Sequence, residues 1–172
     1  MSADLLLIGH GSRDPGAARE LDALVERIRA RLGSGRVGAG YLELAEPYID
    51  TALDDLVAAG ATDVVAVPYV LFGAGHLKDD GPAVLGRARR RHPDVTFHLA
   101  RDLGIHPLVL DVAEDRVREA LAQLPAPDPI PSGTPTPADG DDVPPPAVVV
   151  VARGSSDPDA CADVVKLSLI HI

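Results

Sequence analysis

The chain has 172 residues and a formal charge of -10, with 46% hydrophobic and 24% charged residues, three Tyr, two Phe and no Trp. This acidity offers phosphates no basic face, and so few aromatics build no base-stacking platform, which excludes nucleic acid as a partner. A single cysteine, Cys161, excludes a disulfide framework and a cysteine-rich metal site. No apolar run approaches the ~20 residues of a membrane span, and no signal peptide opens the chain, so a cytoplasmic domain with no membrane association is expected.

The run Leu5-Leu6-Leu7-Ile8-Gly9 predicts a buried strand over 5–9. Asp14 and Pro15 then read as the N-cap and first residue of a helix carrying Leu21, Leu24, Val25, Ile28 and Leu32, which ends before Gly33. A second strand is predicted over 37–44, after which Pro47 opens a helix with Ile49, Leu53, Leu56 and Val57 on one face. The β-branched stretch 64–67 is the third strand, and its helix spans roughly 79–91, stopped by Pro93. A fourth strand over 95–100 and a helix from Pro107 to about Leu124 complete the alternation.

Strict strand–helix alternation implies an α/β fold: a four-stranded parallel sheet with right-handed crossovers and helices on both faces. The expected order is flavodoxin-like, 2-1-3-4, with a switch point between strands one and three. Residues 1–124 form this domain. A Pro- and Asp-rich linker occupies 125–146, where nothing can build a core. Past it, 147–151 reads as another strand, and ARGSSDPDA (152–160) repeats the pattern of GHGSRDPGA (9–17). The truncated start of a second copy is therefore expected over 147–166, with Arg153 where the first copy has His10. The ending LSLIHI (167–172), including His171, does not continue that helix and matches a translated transposon-end adapter. It is expected to be a sequencing artefact of a chain cut short.

His10 ends the first strand between Gly9 and Gly11, at the sheet edge where α/β folds hold ligands. His76 follows the third strand in PYVLFGAGHLKDD (68–80), the equivalent topological place. Neighbouring strands one and three would bring the two turns together. Glu43 ends the second strand among apolar residues, whereas Glu46 before Pro47 is satisfied as a helix-start carboxylate. Two imidazoles and a carboxylate on one edge suit a borderline divalent ion such as Co2+, Ni2+ or Fe2+. His92, His98 and His106 read as structural, and Arg87, Arg89, Arg90 and Arg91 as complements of a helix C-terminus. The segment 9–12 lacks the spacing of a phosphate loop.

In LLLIGHGSRDP (5–15), YLELAEPYI (41–49), VPYVLFGAGHLKDD (67–80) and RHP (91–93), taken in order, the chain resembles the sirohydrochlorin chelatases, the class II chelatases. The resemblance covers 3–124, and the repeat at 152–160 resembles the start of the second half in long, two-domain members. It implies insertion of Co2+ or Fe2+ into sirohydrochlorin on the way to cobalamin or sirohaem, by a lyase with no permanently bound cofactor. It makes His10 metal ligand and proton acceptor, His76 second ligand, and Glu43 an aid at the metal or the pyrrole protons. Glu46 and Leu71, Phe72, Gly73, Ala74 and Gly75 would line the tetrapyrrole, with Arg13 and Lys78 placed to meet its carboxylates. Metallation releases two pyrrole protons, and an imidazole of reference pKa ~6.5 can both accept a proton and bind a metal weakly enough to release it. A non-catalytic metal- or tetrapyrrole-binding module is the alternative. An iron oxygenase would need His-x-Asp/Glu, where His10 is followed by Ser12, and a phosphohistidine phosphatase would need Arg at Gly9. The open pocket of one domain could also be completed by a second copy of the chain.

Overall fold

The apolar run near the amino terminus becomes an inner strand because it carries apolar side chains on both faces. The computed structural model describes residues 3–73, 75–124, 148–152 and 154–169, without the side chains of His76, Leu77, Ser168 and Leu169. Strand β1 (Asp4–Gly9) pairs in parallel with β2 (Val37–Tyr41) on one side and β3 (Asp63–Pro68) on the other, and β4 (Thr96–Leu99) lies beside β3. The order β2-β1-β3-β4 is the expected one.

Three helices cover this sheet. Helix α1 (Pro15–Leu32) packs Leu21 and Val25 against Leu7, Val37 and Tyr41 on one face. On the other face, Leu6 and Ile8 of β1 meet Ile49, Leu53 and Leu56 of α2 (Ile49–Ala58) and Val84 and Leu85 of α3 (Gly75–Arg91). Each such side chain removed from water stabilises by roughly 1.5–3 kcal/mol. Polar contacts fix the arrangement. Buried Asp4 accepts from the Arg36 backbone N–H at 2.6 Å and from its guanidinium at 3.2 Å. Arg87 and Arg91 of α3 reach across to Asp50 and Asp54 of α2, and His92 joins Asp54 at 2.7 Å. These arginines lock two helices together; they do not merely complement the end of their own helix. Burial pushes the Asp50 and Asp54 carboxyls up, but the bonds and charges of these cations outweigh it and hold both below the usual range.

Several elements differ from the sequence expectation. Strand β2 stops at Tyr41 instead of Leu44, because β1 ends at Gly9 and leaves later residues without a ladder. Leu42 and Glu43 donate to Gly9 and His10 carbonyls, and the left-handed Leu44 (φ 64) then turns the chain away. Pro47 does not open α2. Its carbonyl accepts from the Tyr41 N–H at 2.9 Å, so the helix waits until Ile49. Helix α3 begins at Gly75, a turn before Asp79, which puts His76 inside the helix and leaves Pro82 in its interior.

The carboxyl-terminal third behaves differently. Helix α4 (Pro107–Ala122) forms where expected, with His106 Nδ1 capping the Leu108 N–H at 3.2 Å, yet none of its residues is buried. Val148–Val151 form no strand; Val149 is 80% exposed. A strand needs a partner for its backbone groups, and β1–β4 provide none there. Helix α5 (Pro158–Leu169) continues past Val165 and Lys166 to Leu169, so the sequence expectation that 167–172 leaves the helix is not met for its first three residues. The linker expected over 125–146, Ala147, Arg153 and residues 170–172 lie outside the described residues.

Candidate functional site

The carboxyl ends of the four strands bring four loops together. His10 follows directly on β1, and Gly11 carries φ 100. A Cβ at Gly11 would stand 1.7 Å from the Glu43 carbonyl oxygen, so only glycine lets the β1–α1 turn approach the loop after β2 this closely. The Glu43 N–H donates to the His10 carbonyl at 3.1 Å. Backbone contact therefore fixes both residues before their side chains meet. His10 Nε2 lies 3.5 Å from Glu43 Oε1, with both side chains half exposed.

On the other side of β1, the Tyr69 N–H donates to the Ile8 carbonyl at 2.7 Å and carries the β1–β3 pairing into the loop before α3. The loop after β4 then braces this segment: Leu103 and Gly104 donate to the Val70 and Leu71 carbonyls at 3.1 and 2.8 Å, and Asp102 accepts from the Gly73 N–H at 2.5 Å. Asp102 escaped the sequence analysis. A lone acid followed by Leu103 and Gly104 just past a strand was the signal that could have found it.

The expected site residues are only partly gathered. His10 and Glu43 meet, and β1–β3 adjacency puts the loop that leads into α3, whose second residue is His76, on the same edge of the sheet. The His76 side chain and Ala74 lie outside the described residues. Among the described residues, no cluster of three or more His, Cys, Asp or Glu could hold a metal ion. Arg13 is exposed in the turn after His10. Glu46 is exposed too and lines a cleft against α1 with Asp22 and Arg29. Leu71 and Phe72 line a cavity of about 510 Å3 whose other wall is the segment around α5. Gly73 and Gly75 flank this stretch, and Gly75 has no atom within 4 Å of where a Cβ would be.

Lys78, in the first turns of α3, lies 2.9 Å from both Asp157 and Asp159 carboxylates at the start of α5. The hydrogen bonds to Asp157 and Asp159 raise the Lys78 ammonium above the usual lysine range, and the Lys78 bond holds Asp157 low. His98, opposite Val65 in the ladder, sits 3.4 Å from Asp63, the first residue of β3, which fits a structural role. No helix among the described residues is long and apolar enough to cross a membrane.

Comparison with known proteins identifies the family. The family model described as CbiX matches residues 4–120. The sirohydrochlorin cobaltochelatase of Priestia megaterium is 35% identical over 165 residues, covering 95% of this chain and 48% of that protein. The sirohydrochlorin cobaltochelatase of Methanosarcina acetivorans is 31% identical over 124 residues, covering 68% of this chain and 95% of that one. The structure of SirB from Bacillus subtilis with Fe3+ superposes at a TM-score of 0.76 with 30% identity, covering 100% of this chain and 62% of that chain. The chain thus spans about half the length of the first relative and nearly all of the second. With a family match over residues 4–120, which takes in all four strands, the chain belongs to the CbiX family.

Proposed function

We propose that the chain inserts a divalent metal, Co2+ or Fe2+, into sirohydrochlorin, as a cytoplasmic lyase with the metal as substrate. One observation carries this reading: His10 and Glu43, from the loops after β1 and β2, meet at 3.5 Å on the carboxyl edge of the sheet. An imidazole ligates a borderline ion and also accepts a proton, and the carboxylate beside it stabilises the imidazolium that results. Metal insertion needs both, because two pyrrole protons leave as the ion enters. In this reading His76 supplies the second ligand, while Arg13 and Lys78 meet the substrate carboxylates, Leu71, Phe72 and the glycines beside them face the macrocycle, and Glu46 stands at its rim.

The relatives named as cobaltochelatases support the substrate class. The shared Ser–x–Asp–Pro cap supports reading 147–166 as the opening of a second repeat. The exposed Leu108 and Val112 of α4 support pairing with a second copy, which the mass in solution tests. The decisive experiment mixes purified protein with sirohydrochlorin and Co2+, Fe2+ or Ni2+ in turn and follows the visible spectrum. Acceleration over spontaneous metallation, lost in His10→Ala, is expected. Binding without acceleration would replace the enzyme with a tetrapyrrole-binding module.

A further inference from the structure

The ladder between β3 and β4 ends where Ala66 lies opposite Leu99, and the Ala100 N–H donates to the Ala66 carbonyl at 2.8 Å. Past that point the two segments are no longer strands, yet they stay joined. Leu103 and Gly104 donate to the Val70 and Leu71 carbonyls at 3.1 and 2.8 Å. Residue 104 makes its bond from the left-handed region (φ 55), which glycine adopts without strain. The third bond comes from a side chain: Asp102 Oδ2 accepts from the Gly73 N–H at 2.5 Å. All three hold residues 70, 71 and 73 by their backbone groups, so the brace makes no use of the Leu71 and Phe72 side chains, which line the cavity described above. Helix α3 is anchored separately. Val84, Leu85 and Ala88 are buried in the core, and Arg87 and Arg91 hold α2. The brace therefore governs the loop and not the helix that follows it.

We infer that Asp102 is a positioning residue for tetrapyrrole binding: by holding the Gly73 N–H it fixes the loop 70–73 in the conformation that sets Leu71 and Phe72 against the macrocycle. This rests on the chelatase reading for the identity of the ligand. A loop ordered beforehand need not be ordered by the ligand, and the affinity is higher by that saving. Removing the carboxylate leaves a partly buried N–H without its acceptor and shifts the ordering cost to the binding step. His10 and Glu43 are tied to each other through their own backbones, on other loops, so the chemical step keeps its geometry.

The test uses the full chain with Asp102→Ala and Asp102→Asn, because the asparagine carbonyl oxygen accepts the same N–H without the charge. In the free proteins, hydrogen exchange at the Gly73, Leu103 and Gly104 amides is expected to be faster in Asp102→Ala than in the wild type, with Asp102→Asn close to the wild type. The KM for sirohydrochlorin should rise about three- to tenfold in Asp102→Ala, with kcat and the KM for Co2+ unchanged, and return towards the wild-type value in Asp102→Asn. Gly104→Ala strains the residue that bonds Leu71 and should raise the same KM, which decides the matter should Asp102→Ala fail to fold. A fall in kcat with KM unchanged, or wild-type exchange in Asp102→Ala, would overturn positioning. A lower KM in both Asp102 variants would overturn it too, since the carboxylate would then be repelling the substrate. Absence of both sirohydrochlorin binding and metal insertion in the wild type would overturn the chelatase reading and this inference with it. Insertion by the wild type, with an unchanged KM in Asp102→Ala, would overturn the positioning role alone.

Discussion

Two stretches of this chain share a pattern, GHGSRDPGA at 9–17 and ARGSSDPDA at 152–160, and the structure treats them alike in one respect only. In both, the serine Oγ accepts from the aspartate N–H two residues on, at 3.0 and 3.1 Å. In both, the aspartate Oδ1 accepts from the N–H two residues further, at 2.8 and 2.9 Å, and a helix starts at the proline between. What precedes them diverges. Residues 5–8 are a strand paired on both sides, whereas Val148–Val151 pair with nothing in the sheet. A helix cap is local chemistry, satisfied within a few residues. A strand is a contract between distant segments, and among the described residues only the first copy meets them.

The sharpest way to break the comparison is at the histidine. His10→Ala should lower metal insertion by about 10²–10⁴-fold, the range for losing a positioned acid–base group, with the circular dichroism spectrum unchanged. Arg153→Ala, at the matching place in the repeat, should leave turnover as it is, since a guanidinium neither accepts a proton nor ligates a cation. Equal losses in both variants would refute the claim that only the first copy carries chemistry.

The next contrast concerns the apolar runs. Leu6 is completely buried, so Leu6→Ala should cost about 2–5 kcal/mol in denaturant unfolding. Val149 is 80% exposed, and Val149→Ala should stay within about 0.5 kcal/mol. The paired glycines sharpen this further. Gly11→Ala drives a Cβ into the Glu43 carbonyl and should cost about 1–3 kcal/mol while pulling Glu43 away from His10, which a drop in kcat would report. Gly154 has open space around it, so Gly154→Ala should be silent in both measurements.

The smallest effect is expected from acid. Asp50 and Asp54 have carboxyls held below their ordinary values by Arg87, Arg91 and His92, against the opposing push of burial. A lowered folded-state value means the contribution is complete above the unfolded value near ~4 and is lost as pH falls through the folded one. Melting temperature should therefore drop below about pH 4, and Asp54→Asn should flatten that dependence. A variant with the wild-type slope would mean the α2–α3 network contributes nothing to acid stability.

Much of the site was legible because its signals are local. Gly9, His10 and Gly11 after four apolar residues announce a strand end with a close approach, and the structure supplies the approaching group, the Glu43 carbonyl. Glu43 was singled out for the wrong local reason. It is not a strand residue with an unexplained charge but a loop residue displaced by the left-handed Leu44. Asp102 was missed because its partner, the Gly73 N–H, lies 29 residues away and leaves no periodic trace. Glu46 was read as a helix-start carboxylate, but α2 waits until Ile49 and the turn that follows β2 leaves Glu46 in a cleft with Asp22 and Arg29 of α1.

By itself the sequence determined the strand–helix alternation, the α1, α4 and α5 starts and the edge of the sheet that bears His10, since these follow from hydrophobic period and capping within a few residues. The sheet order was one expectation among those that right-handed crossovers allow, and the packed sheet adopts it. Only the tertiary structure decided where β2 stops, which partner each arginine of α3 takes, and that Asp157 and Asp159 close on Lys78. Each of these depends on a group brought near from far along the chain, and the free energy of such a meeting is a property of the packed fold, not of the residues on either side.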